Sequence, residues 1–165
     1  MKSAVVTISD RSARGEREDL SGKVLQERPG EAGVEIAAYR VIPDEQVLIS
    51  ATLVELSDEL SADLILTTGR TGPAPRDVTP EATLAVLDRE MPGLAELLRH
   101  DGTKRTPFAV LSRGRAGIRG RTLIVNLPGS PKAVEECWES LAALLSVAVA
   151  LIRGEAAGDG ICHPA

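Results

Sequence analysis

One pattern recurs along this chain and restricts what it can become. A short apolar, β-branched run gives way to a loop rich in Gly, Pro and Asp, and then to apolar residues spaced three and four apart. Residues 3–9 (SAVVTIS), 34–42 (VEIAAYRVI) and 63–68 (DLILTT) read as strands with few polar positions, as in a parallel sheet covered on both faces. Leu20 to Arg28 reads as a helix stopped by Pro29-Gly30. From Asp44 to Leu60, the spacing of Ile49, Leu53, Leu56 and Leu60 marks one helix face. Thr79 reads as an N-cap with Pro80 at the first helical position, opening a helix through EATLAVLDRE. Pro92-Gly93 separates that helix from a second piece, LAELLRH. Residues 107–112 (PFAVLS) and 121–127 (RTLIVNL) read as two more strands. The segment between them is shorter than the dozen or so residues a parallel crossover takes, so they are antiparallel neighbours or not adjacent. Ser130-Pro131 opens a last helix that runs to about Arg153 and stops at Gly154. Such alternation predicts an α/β fold, a mostly parallel sheet with helices on both faces.

A chain of 165 residues is expected to form a single domain over 1–165, with a loosely ordered tail from about residue 155. Only three residues are aromatic, so the core must be built from Val, Ile, Leu and Ala. That composition and a net charge of −5 argue against a nucleic-acid partner, which needs stacking aromatics or a basic surface. No apolar run reaches the ~18 residues of a membrane span, and the first residues do not resemble a secretion signal. The expected setting is therefore cytoplasmic, with no membrane partner. Cys137 and Cys162 have no metal-ligand spacing and are expected to be free thiols. His100 and His163 are the only histidines, which excludes a three-histidine metal site within one chain.

In open α/β sheets, ligands bind outside the carboxyl ends of the strands. The informative loops are then 9–19, 43–45, 69–79, 112–120 and 127–131, and they hold nearly all the unusual residues. Thr67-Thr68-Gly69-Arg70-Thr71-Gly72 follows a buried strand. Its glycines allow close backbone approach, and its amides and hydroxyls suit phosphate. No Gly-Lys-Ser/Thr follows, so it is not a Walker A sequence. Pro128-Gly129-Ser130 opens a helix, where amides and dipole favour an anion, although simple capping by Ser130 explains it equally. Asp44 and Asp77 sit where strands end. Each is either a local cap or turn former or one of the carboxylates that would share Mg²⁺ with a nucleotide's phosphates. Arg113 to Arg121 carries four arginines and no acid, which reads as a solvated loop or as a phosphate contact.

Taken together, TISDRSARGEREDLSG, VIPDEQ, TTGRTGPAPRDVTPEATLAVLDREMPG, LSRGRAGIRG and LIVNLPGSPKA resemble the molybdopterin adenylyltransferase family of molybdenum-cofactor biosynthesis. The matching pieces occur in family order over about residues 3–135. The resemblance implies a three-layer α/β/α fold, usually a homotrimer, and a reaction of molybdopterin with ATP and Mg²⁺ that yields adenylyl-molybdopterin and pyrophosphate. It implies catalytic and metal-binding roles for Asp44 and Asp77, and nucleotide binding by Thr68, Gly69, Arg70, Thr71, Gly72, Pro128, Gly129 and Ser130. It also implies contacts of Ser9, Asp10, Ser112 and Arg113 with the pterin, and a downstream molybdenum insertase as a partner. Some of Arg70, Arg76, Arg113 and Arg119 are expected to offset phosphate charge.

One position departs from the family pattern. Arg70 stands where a second glycine is usual, and arginine tolerates positive φ poorly. Either the backbone there is ordinary and the guanidinium adds a phosphate contact, or the loop has shifted. The alternatives to adenylylation are a non-catalytic molybdopterin-binding or scaffolding paralogue, molybdenum insertion, and general nucleotide hydrolysis.

Overall fold

A computed structural model of the protein describes residues 1–155. Six strands form one sheet in the order β2-β1-β3-β6-β5-β4. The strands are β1 (Lys2–Ile8), β2 (Glu35–Ile42), β3 (Leu64–Thr68), β4 (Arg89–Glu90), β5 (Ala116–Arg119) and β6 (Thr122–Leu127). β2, β1, β3 and β6 pair in parallel, while β5 is antiparallel to both β6 and β4. The helices are α1 (Asp10–Ala13), α2 (Leu20–Glu31), α3 (Gln46–Val54), α4 (Thr79–Leu84), α5 (Pro92–Thr103) and α6 (Pro131–Arg153). None of them is long and apolar enough to cross a membrane.

Alternation along the central strands creates two cores. Val5, Leu64, Leu66, Leu123 and Val125 point to one face, where Leu25 of α2, Leu94 of α5, and Val134, Trp138, Leu141 and Leu145 of α6 cover them. Ala4, Val6, Ile8, Ile65 and Ile124 point to the other, under Ile49 and Leu53 of α3 and Ala82 of α4. The fold is thus three-layered, α/β/α, with a mostly parallel sheet. Each fully buried Leu or Ile contributes roughly 1.5–3 kcal/mol relative to exposure, so the sheet interior dominates the favourable side of folding.

Several boundaries differ from the sequence pattern. Pro29-Gly30 does not stop α2, which continues to Glu31. Proline in a last turn removes only one ladder bond, and the chain reverses instead at Gly33 (φ +76°), with Val34 N–H donating to Pro29 O. Segment 107–112 is no strand. Pro107–Leu111 is a 3₁₀ turn capped by Thr106, and it leaves Phe108, Val110 and Leu111 exposed. The antiparallel neighbour of β6 is β5, drawn from the arginine-rich segment. The two-residue turn Gly120-Arg121 joins them, with Gly120 at φ +55°.

The pattern EATLAVLDRE likewise splits. α4 ends at Leu84, and Arg89–Glu90 pairs with Ile118 and Gly117 as an edge strand. Gly117 permits this, because a Cβ there would stand 2.6 Å from Arg89 O and collide with the Leu87 side chain. The N-cap of α4 is Val78, not Thr79, whose buried hydroxyl donates to Gly69 O (3.1 Å). The expected tail, with Cys162 and His163, lies outside the described residues.

The arginines of 113–121 do not form a common basic patch. Arg115 pairs with Glu90 and Arg119 with Asp58, while Arg121 donates to the carbonyl of Arg153. Arg119, expected to meet phosphate, is a structural tie between β5 and the end of the α3 segment.

Asp19 anchors α2. Its carboxylate accepts from Gly22 N–H (2.9 Å), from Ser21 Oγ–H (3.1 Å) and from the Tyr39 hydroxyl. Burial alone would raise its pKa, but these donors outweigh burial and hold it below the ordinary aspartate value. A depressed folded-state pKa stabilises the fold at neutral pH, and this contribution disappears as pH falls through the carboxylate range. Asp19→Asn is expected to cost about 1 kcal/mol in urea unfolding at pH 7, the size of a lost cap interaction. The gap to wild type should close as pH drops toward 3. A constant gap across pH would show that the charge contributes nothing.

Candidate active site

The carboxyl ends of β1, β2, β3 and β6 converge on one rim. β1 and β3 are neighbours there, although β2 comes between them in the chain. That is the topological switch point at which open α/β sheets bind ligands.

Three aspartates stand along this rim. Ser9 ends β1 and caps α1, accepting from Ser12 N–H (3.2 Å), so that Asp10 begins the helix. Asp10 and Asp44 then exchange bonds. Asp10 N–H donates to Asp44 Oδ1 and Asp44 N–H to Asp10 Oδ1, each at 3.0 Å. This lock ties the loop after β1 to the loop after β2. It also means that Asp44 does not cap α3, whose N-cap is Glu45. Asp77 accepts from Ala74 N–H (3.0 Å) and donates its own N–H to Ala74 O (2.8 Å), so it does form a turn.

The Asp44 side chain is fully buried, and its Oδ2 has no hydrogen-bond partner. Arg70 supplies the countercharge. Its guanidinium pairs with Asp44 Oδ2 through Nη2 and reaches Asp77 Oδ1 through Nη1 at 3.6 Å. The contact with Asp44 is an ion pair without hydrogen-bond alignment, so the two observations agree. Burial pushes the Asp44 carboxyl above its ordinary value; Arg70 opposes this and the charge of Asp10 adds to it. Asp10 is held below its ordinary value by the Asp44 amide and, to a lesser degree, by Arg76 (Nη2 to Oδ2, 2.5 Å).

The backbone at Arg70 is not the ordinary one of the first expectation. It is left-handed (φ +56°), and the guanidinium lies between two carboxylates. The loop is held from several sides. Gly69 N–H donates to Leu127 O, Thr68 Oγ–H to Pro128 O (2.7 Å), and Thr79 N–H to Arg70 O. A Cβ on Gly129 would stand 3.2 Å from Gly69 Cα, so the 68–72 and 128–130 turns lie side by side. Ser130 Oγ accepts from Ala133 N–H and caps α6. Arg113 secures the far side of the loop, donating to Gly72 O (2.8 Å), Asp77 O (2.5 Å) and Glu81.

These paired turns separate two cavities. One, of about 490 Å³, is bordered by Thr71, Gly72, Leu98, Arg99, Ser112 and Pro128. A smaller polar one, of about 300 Å³, is bordered by Ser9, Asp19, Thr68, Gly69, Arg70 and Gly129. Ser9 and Ser112, expected together at the pterin, border different cavities. Asp44 and Asp77 border neither and lie behind Arg70.

Asn126 was not singled out by sequence reasoning, yet it organises the rim. Its amide donates to Thr67 Oγ1 (3.0 Å) and Thr83 Oγ1 (2.9 Å), and its carbonyl accepts from Arg115 N–H. The available signal was a lone amide inside the apolar run LIVNL.

A parallel α/β sheet that gathers carboxylates, guanidinium groups and tight turns at its switch point defines a ligand-binding domain of the nucleotide- or cofactor-handling class. The chain belongs to the family described as "Probable molybdopterin binding domain", whose profile matches residues 4–146. It is 45% identical over 152 residues to the molybdopterin adenylyltransferase of Helicobacter pylori strain J99, spanning 91% of this chain and 86% of that protein. It is 48% identical over 144 residues to the Escherichia coli K12 protein of the same name, spanning 86% and 73%. A crystal structure of the molybdopterin biosynthesis enzyme MoaB from Thermus thermophilus matches with a TM-score of 0.88 and 49% identity, covering 93% of this chain and 97% of that one.

Gly69 sits at φ +102°, and a Cβ there would collide with Ile8 O. Gly69→Ala should therefore destabilise the fold by roughly 1–3 kcal/mol from backbone strain, more if the β1 end cannot yield. Thermal and urea unfolding of the variant measure this. An unchanged midpoint would show that the loop has room to relax.

Proposed function

We propose that this protein is a molybdopterin adenylyltransferase acting in molybdenum-cofactor biosynthesis. It transfers AMP from ATP to the terminal phosphate of molybdopterin with release of pyrophosphate. The observation that carries this reading is the convergence of Asp44, Asp77 and Arg70 beside the stitched turns 68–72 and 128–130, in a chain 45–48% identical to proteins of that name.

The chemistry asks for little acid–base help. The attacking molybdopterin phosphate is already an anion, so the protein's task is positioning and charge neutralisation. Two cavities on either side of one wall suit a reaction between two substrates that meet at their phosphates. In this reading, Arg70–Gly72 and Gly129–Ser130 hold the nucleotide through backbone amides, and Ser112 meets the pterin substrate in the larger cavity. Arg76, already paired with Asp10, is placed to offset phosphate charge. Arg113 acts by holding the loop, since its donors are taken by Gly72, Asp77 and Glu81.

Mg²⁺ fits this donor set. Asp44 Oδ2 is a buried oxygen without a hydrogen bond, and a guanidinium stands in as the cation between Asp44 and Asp77. Two carboxylates leave most of a Mg²⁺ shell to be completed by phosphate oxygens and water. Asp44 and Asp77 would hold the ion. When bound, it would neutralise charge on the triphosphate.

The same reading includes a cytoplasmic homotrimer that delivers its product to a molybdenum insertase. Exposed Phe108, Val110 and Leu111 support self-association, as an apolar patch that another copy would cover. Sedimentation at micromolar concentration should give three times the monomer mass; a monomer would refute the trimer.

Asp44→Asn and Asp77→Asn should each abolish adenylyl-molybdopterin formation, measured by mass spectrometry of product from molybdopterin, ATP and Mg²⁺. Melting temperature should move by only a few degrees, because the amide oxygen can still accept from Asp10 or Ala74 N–H. Wild type that binds molybdopterin without releasing pyrophosphate would instead establish a binding or scaffolding role.

A further inference from the structure

We propose that Arg70 is a tethered cation occupying the divalent-metal position between Asp44 and Asp77, and that a metal ion must displace it to bind. This inference rests on the reading of those two aspartates as metal ligands, and it adds a competitor built into the chain. The guanidinium contacts both carboxylates, so its positive charge stands where a metal bridging them would stand. Asp44 explains why a cation is present at all. A fully buried carboxylate with one oxygen lacking a hydrogen bond is costly without a countercharge. Arg70 meets the charge requirement while leaving that oxygen's lone pairs unaligned with any N–H. A hard oxygen-seeking ion satisfies both, which is why exchange is favourable when a metal is present.

The geometry also lets Arg70 leave. Its side chain is one-third exposed, whereas that of Asp44 is not exposed at all. The backbone is held at both ends of the residue, by Gly69 N–H on Leu127 O and by Thr79 N–H on Arg70 O. Departure is then a side-chain rotation on a fixed loop. The released guanidinium emerges at the smaller cavity that Arg70 already borders, beside the turns assigned to the nucleotide. A metal–nucleotide pair therefore brings its own replacement partner, phosphate, for the displaced charge. The left-handed backbone at Arg70 supports a specific role, since a non-glycine residue keeps φ +56° only when its surroundings enforce it.

Competition predicts that the charge of Arg70 weakens metal binding in the absence of nucleotide. The probe is Mn²⁺, titrated into the nucleotide-free protein and followed by the electron paramagnetic resonance signal of the free ion. Arg70→Gly and Arg70→Gln should each bind Mn²⁺ about tenfold more tightly than wild type, because a nearby like charge has been removed. Adding Asp44→Asn to Arg70→Gly should abolish that gain.

A second measurement reads the wild-type protein itself. In wild type, the Arg70 Nε–H resonance, assigned with Arg70→Lys, should shift on addition of Mg²⁺ as its ion pairs break. If both Arg70 variants bind Mn²⁺ like wild type while Asp44→Asn and Asp77→Asn weaken binding, the metal site stands and the competition is overturned. If Mn²⁺ binding is indifferent to both aspartates, the metal reading itself fails and the inference with it. An Arg70 resonance unmoved by saturating Mg²⁺ also overturns it.

Discussion

The constraint on which everything else depends is that β1, β3 and β6 are covered on both faces. All five residues of β3 and all six of β6 are buried, and only Lys2 of β1 escapes. Strands so enclosed have no surface on which to display chemistry, and their backbone groups are consumed by the parallel ladders. Polar function is therefore displaced to the strand ends. Because β2, β1, β3 and β6 run the same way, the ends that follow these strands share one rim, and the loops that carry aspartates and glycines arrive there together.

At that rim, the decisive energetic problem is a charge removed from water. Asp44 is as buried as the apolar core, yet its carboxylate lies between a second aspartate and an arginine. The fold manages this by reciprocity. Asp10 and Asp44 each satisfy the other's backbone amide, and each has its own guanidinium, Arg76 for Asp10 and Arg70 for Asp44. The result is a cluster of three carboxylates and two guanidinium groups whose charges nearly balance without a metal.

The paired turns have a mechanical role that complements this electrostatic one. Thr68, Gly69, Pro128 and Gly129 lie so close that backbone donors and a hydroxyl stitch them together. They form a stiff wall between a large cavity and a small polar one, with Arg113 bracing the loop from behind. Stiffness of this kind suits catalysis by positioning, where a misplaced phosphate costs more than a weak one. It also separates residues that the family resemblance had grouped, since Ser9 and Ser112 face different spaces.

Much of this was legible in the linear chain. Apolar runs too short and too uniform for anything but enclosed strands determined the α/β class, and the loops after them determined where to look. Asp44, Asp77, the 68–72 turn and the 128–130 turn stood out by residue type and position, each with a cap or turn reading beside the functional one. What the chain could not reveal were pairings between distant segments. PFAVLS has the apolarity of a strand but finds no ladder, because β6 takes its antiparallel partner from the arginine-rich stretch through a two-residue turn. EATLAVLDRE has helical spacing, but its last two residues, Arg89–Glu90, are captured as an edge strand because Gly117 leaves room for them. Arg70 is the sharpest case. Its identity was visible as a departure, but the place of its charge depended on Asp44, which is distant in the chain and was brought near because β1 pairs with both β2 and β3. Local periodicity reports what a segment can bury. Only the assembled sheet decides which buried charge needs a partner, and which side chain is near enough to become one.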